Sequence, residues 1–209
     1  MSDYRQIVKR FCEECVWSWT VRDQYRKIYE KGERRLTLLN EVASMFFHDL
    51  QVIMIEHIIL QMCKLTESAK SNGHSNLSAL YLVDVVPHPA GKSQELTQLV
   101  ASLKVFRKKV VDARRKIIAH SDLSTFLSGE THGEFSVQDE ELFWEDLRKI
   151  VDIFHSHYCN GMYPINAVTQ YDAEDMVVAL KKAVDYDTYF SNRTEEKIER
   201  RRLMEYEDA

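Results

Sequence analysis

Apolar side chains recur along most of this chain at alternating steps of three and four residues, the period of helices that bury one face. A first helix is predicted over about residues 4–31, with Ile7, Phe11, Cys15, Trp19 and Tyr25 among its larger apolar positions. The second, over about residues 33–65, is the longest, with Leu36, Leu39, Ala43, Phe46, Leu50, Ile53, His57 and Leu60 on the period. From Val52 to Met62 its circumference is apolar except for Glu56, His57 and Gln61, so it is expected to be enclosed by other helices in the middle of a bundle. A polar stretch around Gly73 reads as a loop, and a short helix follows over about residues 77–85. Pro87-His88-Pro89 breaks the chain before Ser93, the expected N-cap of a helix running over about residues 94–119. Leu96, Leu99, Leu103, Phe106, Val110, Ala113 and Ile117 form the inner stripe of that helix, and His120 prolongs it.

After a glycine-containing stretch without a period, Ser136 and Asp139 have the spacing of a helix cap. The helix expected there, over about residues 137–158, turns Phe143, Leu147, Ile150, Phe154 and His157 inward. A last helix begins near residue 172, with Met176, Leu180, Ala183 and Val184 inward. The pattern predicts an all-α fold, an up-and-down helical bundle with long central helices. A hydrophobic share of 44% supplies a sizeable core, and six glycines and three prolines are too few for a β-sandwich. The 209 residues suit one helical domain, residues 1–190, followed by a charged C-terminal helix or tail, residues 191–209. No solenoid repeat, Walker-type glycine loop or Gly-x-Ser-x-Gly elbow occurs.

No run of about eighteen uninterrupted apolar residues is present, so no membrane span is expected. The N-terminus lacks the build of a secretion signal, and Cys12, Cys15, Cys63 and Cys159 lack the spacing of a disulfide framework. A reducing cytoplasm is the expected setting. Cys12 and Cys15 match a metal-ligand spacing, and His155 and Cys159 share a later helix face, but nothing in the sequence joins the two pairs. His48-Asp49 resembles the dyad of metal-dependent HD phosphohydrolases, without the further ligands that chemistry requires. No metal site and no cofactor are expected.

The net charge of −5 offers no overall attraction to nucleic acid, yet the cations are unevenly placed. Lys104, Arg107, Lys108, Lys109, Arg114, Arg115 and Lys116 stand against Asp112 alone. Such a run is either a solvated helix face or a phosphate-binding surface. Its continuation into Arg114-Arg115 and His120 suits work on a phosphodiester, because guanidinium grips phosphate and imidazole moves a proton near neutral pH. The same residues also suit the plain capping of a helix C-terminus.

The string Ala113-Arg114-Arg115-Lys116-Ile117-Ile118-Ala119-His120-Ser121-Asp122-Leu123, ending a long helix in an all-α chain, resembles the HEPN superfamily in its abortive-infection, U-type (AbiU-like) branch. Cys63-Lys64-Leu65-Thr66-Glu67 and Asn76-Leu77-Ser78-Ala79-Leu80-Tyr81-Leu82-Val83 agree with that branch. The resemblance implies a HEPN-type bundle, metal-independent endoribonuclease activity in a toxin or antiviral-defence component, and a homodimer with a composite Arg–His site. Arg114 and His120 would be catalytic, Arg115 and Asp122 supporting, and Lys104, Arg107, Lys108 and Lys116 RNA-binding. An antitoxin protein is a further implied partner. In this family the residue after the motif arginine is usually Asn, Asp or His, and here it is Arg115. A non-catalytic module that binds RNA or nucleotides, or a helical interaction module, is the other reading.

Overall fold

Wherever the described residues carry the three-and-four period, it becomes helix. A computed structural model describes residues 3–114, 135–165 and 171–190, with side chains to residue 186 in the last segment. Its elements are α1 (Tyr4–Tyr29), α2 (Glu33–Leu65), a two-stranded hairpin of β1 (Lys70–Ser71) and β2 (His74–Ser75), α3 (Ala79–Val85), α4 (Ser93–Arg114), α5 (Val137–Cys159) and α6 (Asp172–Phe190). The fold is all-α.

Two compact units separate, one formed by Met1–Asp23 with Val52–Thr169 and the other by Gln24–Gln51 with Gln170–Ala209. In the first unit α4 lies along α5, and α3 packs on both. All six described residues of the α4 stripe, from Leu96 to Ala113, are buried. Phe106 stacks on Phe143 of α5 at 4.8 Å between ring centroids, and Lys109 pairs with Asp139 at 2.8 Å. These contacts and the His88–Phe154 ring contact run in opposite order along the chain, so α4 and α5 are antiparallel. Ser136 and Asp139 form the expected capping box, and Asn160 in the left-handed conformation ends α5. Phe143, Leu147, Ile150 and Phe154 are buried as expected, whereas His157 is exposed.

Helix α1 crosses the other side of α5. Arg22 grips Glu140 through Nε to Oε1 and through Nη2 to Oε2, the latter at 2.8 Å, in a buried bidentate pair. Trp144 Nε1 donates to the same Glu140 Oε1 at 3.3 Å, and Trp19 meets the Trp144 ring edge-on at 5.2 Å. A buried carboxylate holding three donors is the arrangement that offsets its own desolvation.

In the second unit Tyr29 Oη donates to the Phe47 carbonyl at 2.9 Å, and Lys27 lies over the Tyr171 ring at 5.8 Å. Ala173 and Val177 supply the buried face of α6, with Met176 and Leu180 half-buried and Ala183 exposed. The inward stripe of α6 therefore begins one turn earlier than the pattern suggests.

Two further features differ from the expectation. The predicted loop around Gly73 contains a hairpin, whose Asn72 (φ 49°) and Gly73 (φ 81°) both adopt the left-handed backbone that a tight two-residue turn needs. Helix α2 is not enclosed along its whole length. In the first unit Ile58, Ile59, Met62, Cys63 and Leu65 are buried but Val52 (43%) and Ile53 (60%) are exposed, and in the second unit Met45 (71%) and Phe46 (62%) are exposed. The buried positions are Leu39, Phe47, Met54 and Ile58, not Phe46 and Ile53. A non-helical residue, Ala43 (φ −160°, ψ 73°), interrupts the helix.

Candidate functional site at the end of helix α4

The Arg–His string begins in α4. Arg114 is the last described residue of α4 and is exposed, one step past the buried Ala113. Arg115, Lys116, His120 and Asp122 lie outside the described residues. The structure therefore places the arginine of the motif and leaves its distance to the histidine undefined.

Arg114 and Arg107 are seven residues apart, about 20° around an ideal helix and about 10 Å along it, so they share one stripe of α4. That stripe faces the C-terminal end of α2. Arg107 Nη1 donates to the Cys63 carbonyl at 2.8 Å and reaches Thr66 Oγ1 at 3.5 Å. Burial raises the Cys63 thiol above its ordinary value, opposed by the positive charges of Arg114 and then Arg107. The Arg107 guanidinium is thus held at the end of α2, where helix carbonyls carry partial negative charge.

The sequence assigned Lys104, Arg107 and Lys108 to one RNA-binding set, and the structure distributes them differently. Arg107 is half-buried and engaged by the last turn of α2, while Lys104 and Lys108 are exposed. Lys109, from the same charge run, is tied to Asp139, whose carboxyl is lowered to about 2 by the Lys109 hydrogen bond and by the Ser136 N–H. Only part of the basic run is therefore open to a phosphate backbone.

The other sequence candidates resolve as follows. Cys159 Sγ donates to the Arg5 carbonyl at 3.8 Å, and Tyr4 meets Tyr158 at 6.1 Å, so the His155/Cys159 face does reach α1. His155 Nδ1, however, bonds the Gly161 carbonyl at 2.7 Å. Burial holds the Cys12 thiol up at about 12 and raises Cys15 as well. Among the described residues no group of three or more His, Cys, Asp or Glu side chains converges on a metal-sized position. His48 and Asp49 are exposed on α2. His57 bonds Gln61 across one helical turn at 3.4 Å and meets the Trp17 ring edge-on at 6.3 Å.

No curated protein and no solved structure matches the chain. A family model does: it is described as AbiU2 and covers residues 1–178, which takes in the long helices, the α2 terminus and the whole Arg–His string. An all-α chain that carries this string on a long helix and is matched over that extent belongs to the AbiU2 family, the abortive-infection U-type branch of the HEPN superfamily.

Proposed function

We infer that this protein is a metal-independent endoribonuclease, a toxin or antiviral-defence component acting on RNA in the cytoplasm. The observation that carries the reading is Arg114, exposed on the stripe of α4 whose Arg107 holds the α2 terminus, with the string to His120 following directly in sequence. His120 takes the proton from a ribose 2′-hydroxyl as its oxygen attacks phosphorus, and the P–O5′ bond breaks. The departing 5′-oxygen takes a proton from an imidazolium, giving a 2′,3′-cyclic phosphate and a 5′-hydroxyl. Arg114 holds the phosphate and stabilises its growing charge, with Arg115 beside it and Asp122 orienting the imidazole. Lys104, Lys108 and Lys116 steer the strand. Arg107 supports the site from behind by holding the last turn of α2.

On an ideal helix Arg114 and His120 are about 9 Å apart along the axis and about 120° apart around it, so one straight helix does not bring them together. A homodimer does, each subunit completing the other's cleft. Large apolar side chains exposed on α2, Val52 and Ile53 in the first unit and Met45 and Phe46 in the second, support self-association. Helix α2 passes a length and composition test for crossing a bilayer. Its last turns are buried and Asp49 and Glu56 stand mid-helix, and no membrane enters the reading. An antitoxin protein is the regulatory partner that a toxin of this type requires.

One feature favours a second reading. Arg115 stands where the family usually has Asn, Asp or His, which fits a module that holds RNA or nucleotides without cutting them. Digestion of RNA in EDTA, wild type beside His120→Ala, separates the two. The nuclease gives cyclic-phosphate ends that vanish in the variant. Dependence on added magnesium, or equal products from both proteins, refutes it.

A further inference from the structure

Between α1, the end of α2 and the β1–β2 hairpin lies a bowl of about 330 Å³, the lower end of the range for ligand pockets and suited to one nucleoside. Its wall is polar and of mixed sign. Glu14 and Glu67 contribute carboxylates and Lys64 an ammonium, and among the described residues none of these three side chains has a hydrogen bond or ion pair. Gln61 also lines it, with its carboxamide nitrogen bonded to His57 at 3.4 Å.

The wall is held in place before any ligand arrives. Asn76 Nδ2 donates to the Ser68 carbonyl and to Ser71 Oγ, both at 2.9 Å, and its backbone N–H donates to the Ala69 carbonyl. Thr66 and Ser78, beneath the bowl, bond back to Met62 and Glu67 carbonyls at 2.7 Å.

The chemistry of the wall selects its occupant. Two carboxylates against one ammonium repel a phosphate, so this is no phosphate subsite. A planar heterocycle with hydrogen-bond donors on one edge and acceptors on another fits, its faces against Leu65 and Leu77. Guanine offers adjacent N1–H and N2–H donors that a carboxylate accepts in parallel, and O6 and N7 acceptors for an ammonium. Uracil, with one donor between two acceptors, does not match. The bowl also borders the end of α2 that Arg107 of α4 holds.

We propose that the bowl lined by Glu14, Gln61, Lys64 and Glu67 binds a guanine base, and that it is the base-recognition subsite of the Arg114–His120 centre. The second clause rests on the nuclease reading above; the first does not. Glu67 accepts from the guanine N1–H and N2–H groups, and Lys64 donates to its O6 and N7 edge.

Calorimetric titration of the full chain with guanosine, cytidine and uridine, all without phosphate, tests the site. The expected result is saturable binding of guanosine, at least tenfold tighter than uridine or cytidine, with Glu67→Gln weakening guanosine by at least tenfold at unchanged circular dichroism. Equal affinity for the three nucleosides, no saturable guanosine binding, or an unaltered guanosine affinity in Glu67→Gln overturns it. Sequenced cleavage ends from the EDTA digestion then separate the two claims. Cuts at fixed register to guanine support the subsite, cuts without base preference overturn it while leaving the nuclease standing, and guanosine binding without any cleavage retires the nuclease while the bowl remains.

Discussion

Arg107 offers a sharp test, because its charge suggests one role and its contacts another. The sequence places it in a run of cations that would hold RNA. In the structure it is half-buried, with a 2.8 Å hydrogen bond to the Cys63 carbonyl and a longer one to Thr66 Oγ1. Arg107→Ala removes a charge-assisted hydrogen bond to a helix-end carbonyl, worth about 1.5–3 kcal/mol, and leaves that acceptor partly buried. With solvent screening on the half-open side, about 2 kcal/mol is the expected loss, a fall in Tm of about 4–8 °C for a chain of this size. Lys108 is exposed, so Lys108→Ala is expected to leave Tm within about 1 °C while weakening RNA retention, more at low salt than at high. The assay is thermal unfolding beside RNA-binding anisotropy, both in a His120→Ala background so that the RNA stays intact. If Arg107→Ala leaves Tm unchanged and weakens RNA as much as Lys108→Ala does, the assignment of Arg107 to the α2 terminus is wrong.

Two other expectations follow from the packing of α1, α4 and α5. Glu140→Ala removes the carboxylate that takes two hydrogen bonds from the buried Arg22 and one from Trp144, and is expected to cost about 3–5 kcal/mol by urea unfolding, with Glu140→Gln losing less. An equal, small loss in both variants would mean the pair is not buried in solution. Asp139 is held at about 2 instead of its ordinary 3.8, chiefly by Lys109, so its contribution is present above about pH 4 and disappears as the pH falls towards 2. Asp139→Asn is expected to flatten the acid limb of the Tm–pH curve between those values, and an unchanged limb would remove the Lys109–Asp139 contact from the account.

Helices with one apolar face were legible from sequence, and helices apolar on every side were not. In α4 the polar residues between Leu96 and Ala113 leave only one way to turn the stripe, and every described member is buried. In α2 the stretch from Val52 to Met62 is apolar on nearly every side and so sets no phase, and the break at Ala43 prevents a phase being carried across from Leu39. The pattern therefore chose Phe46 and Ile53 where the fold buries Phe47 and Met54. The capping box of α5 was visible because its partners are three residues apart. The Arg107 contact was not, since a charge in a basic run gives no sign that its acceptor lies 44 residues earlier. Nor was the bowl, whose Glu14, Lys64 and Asn76 come from three separate stretches. The Asn72-Gly73 turn was available in the sequence as a hairpin signal between strands too short to show a period.

The placement of the cations divides the work among them. On α4, Arg114 lies about 80° around the helix from Lys104 and about 120° from Lys108, but only about 20° from Arg107. On the proposed nuclease reading, Lys104 and Lys108 would act at a distance, raising the local potential for a polyanion on a chain whose net charge is −5. Arg114 would act by contact, from the stripe it shares with Arg107. Loss of a lysine should then slow capture and be compensated by lower salt, whereas loss of Arg114 should persist at every ionic strength, because a phosphate held by a directed fork depends on geometry as well as on charge.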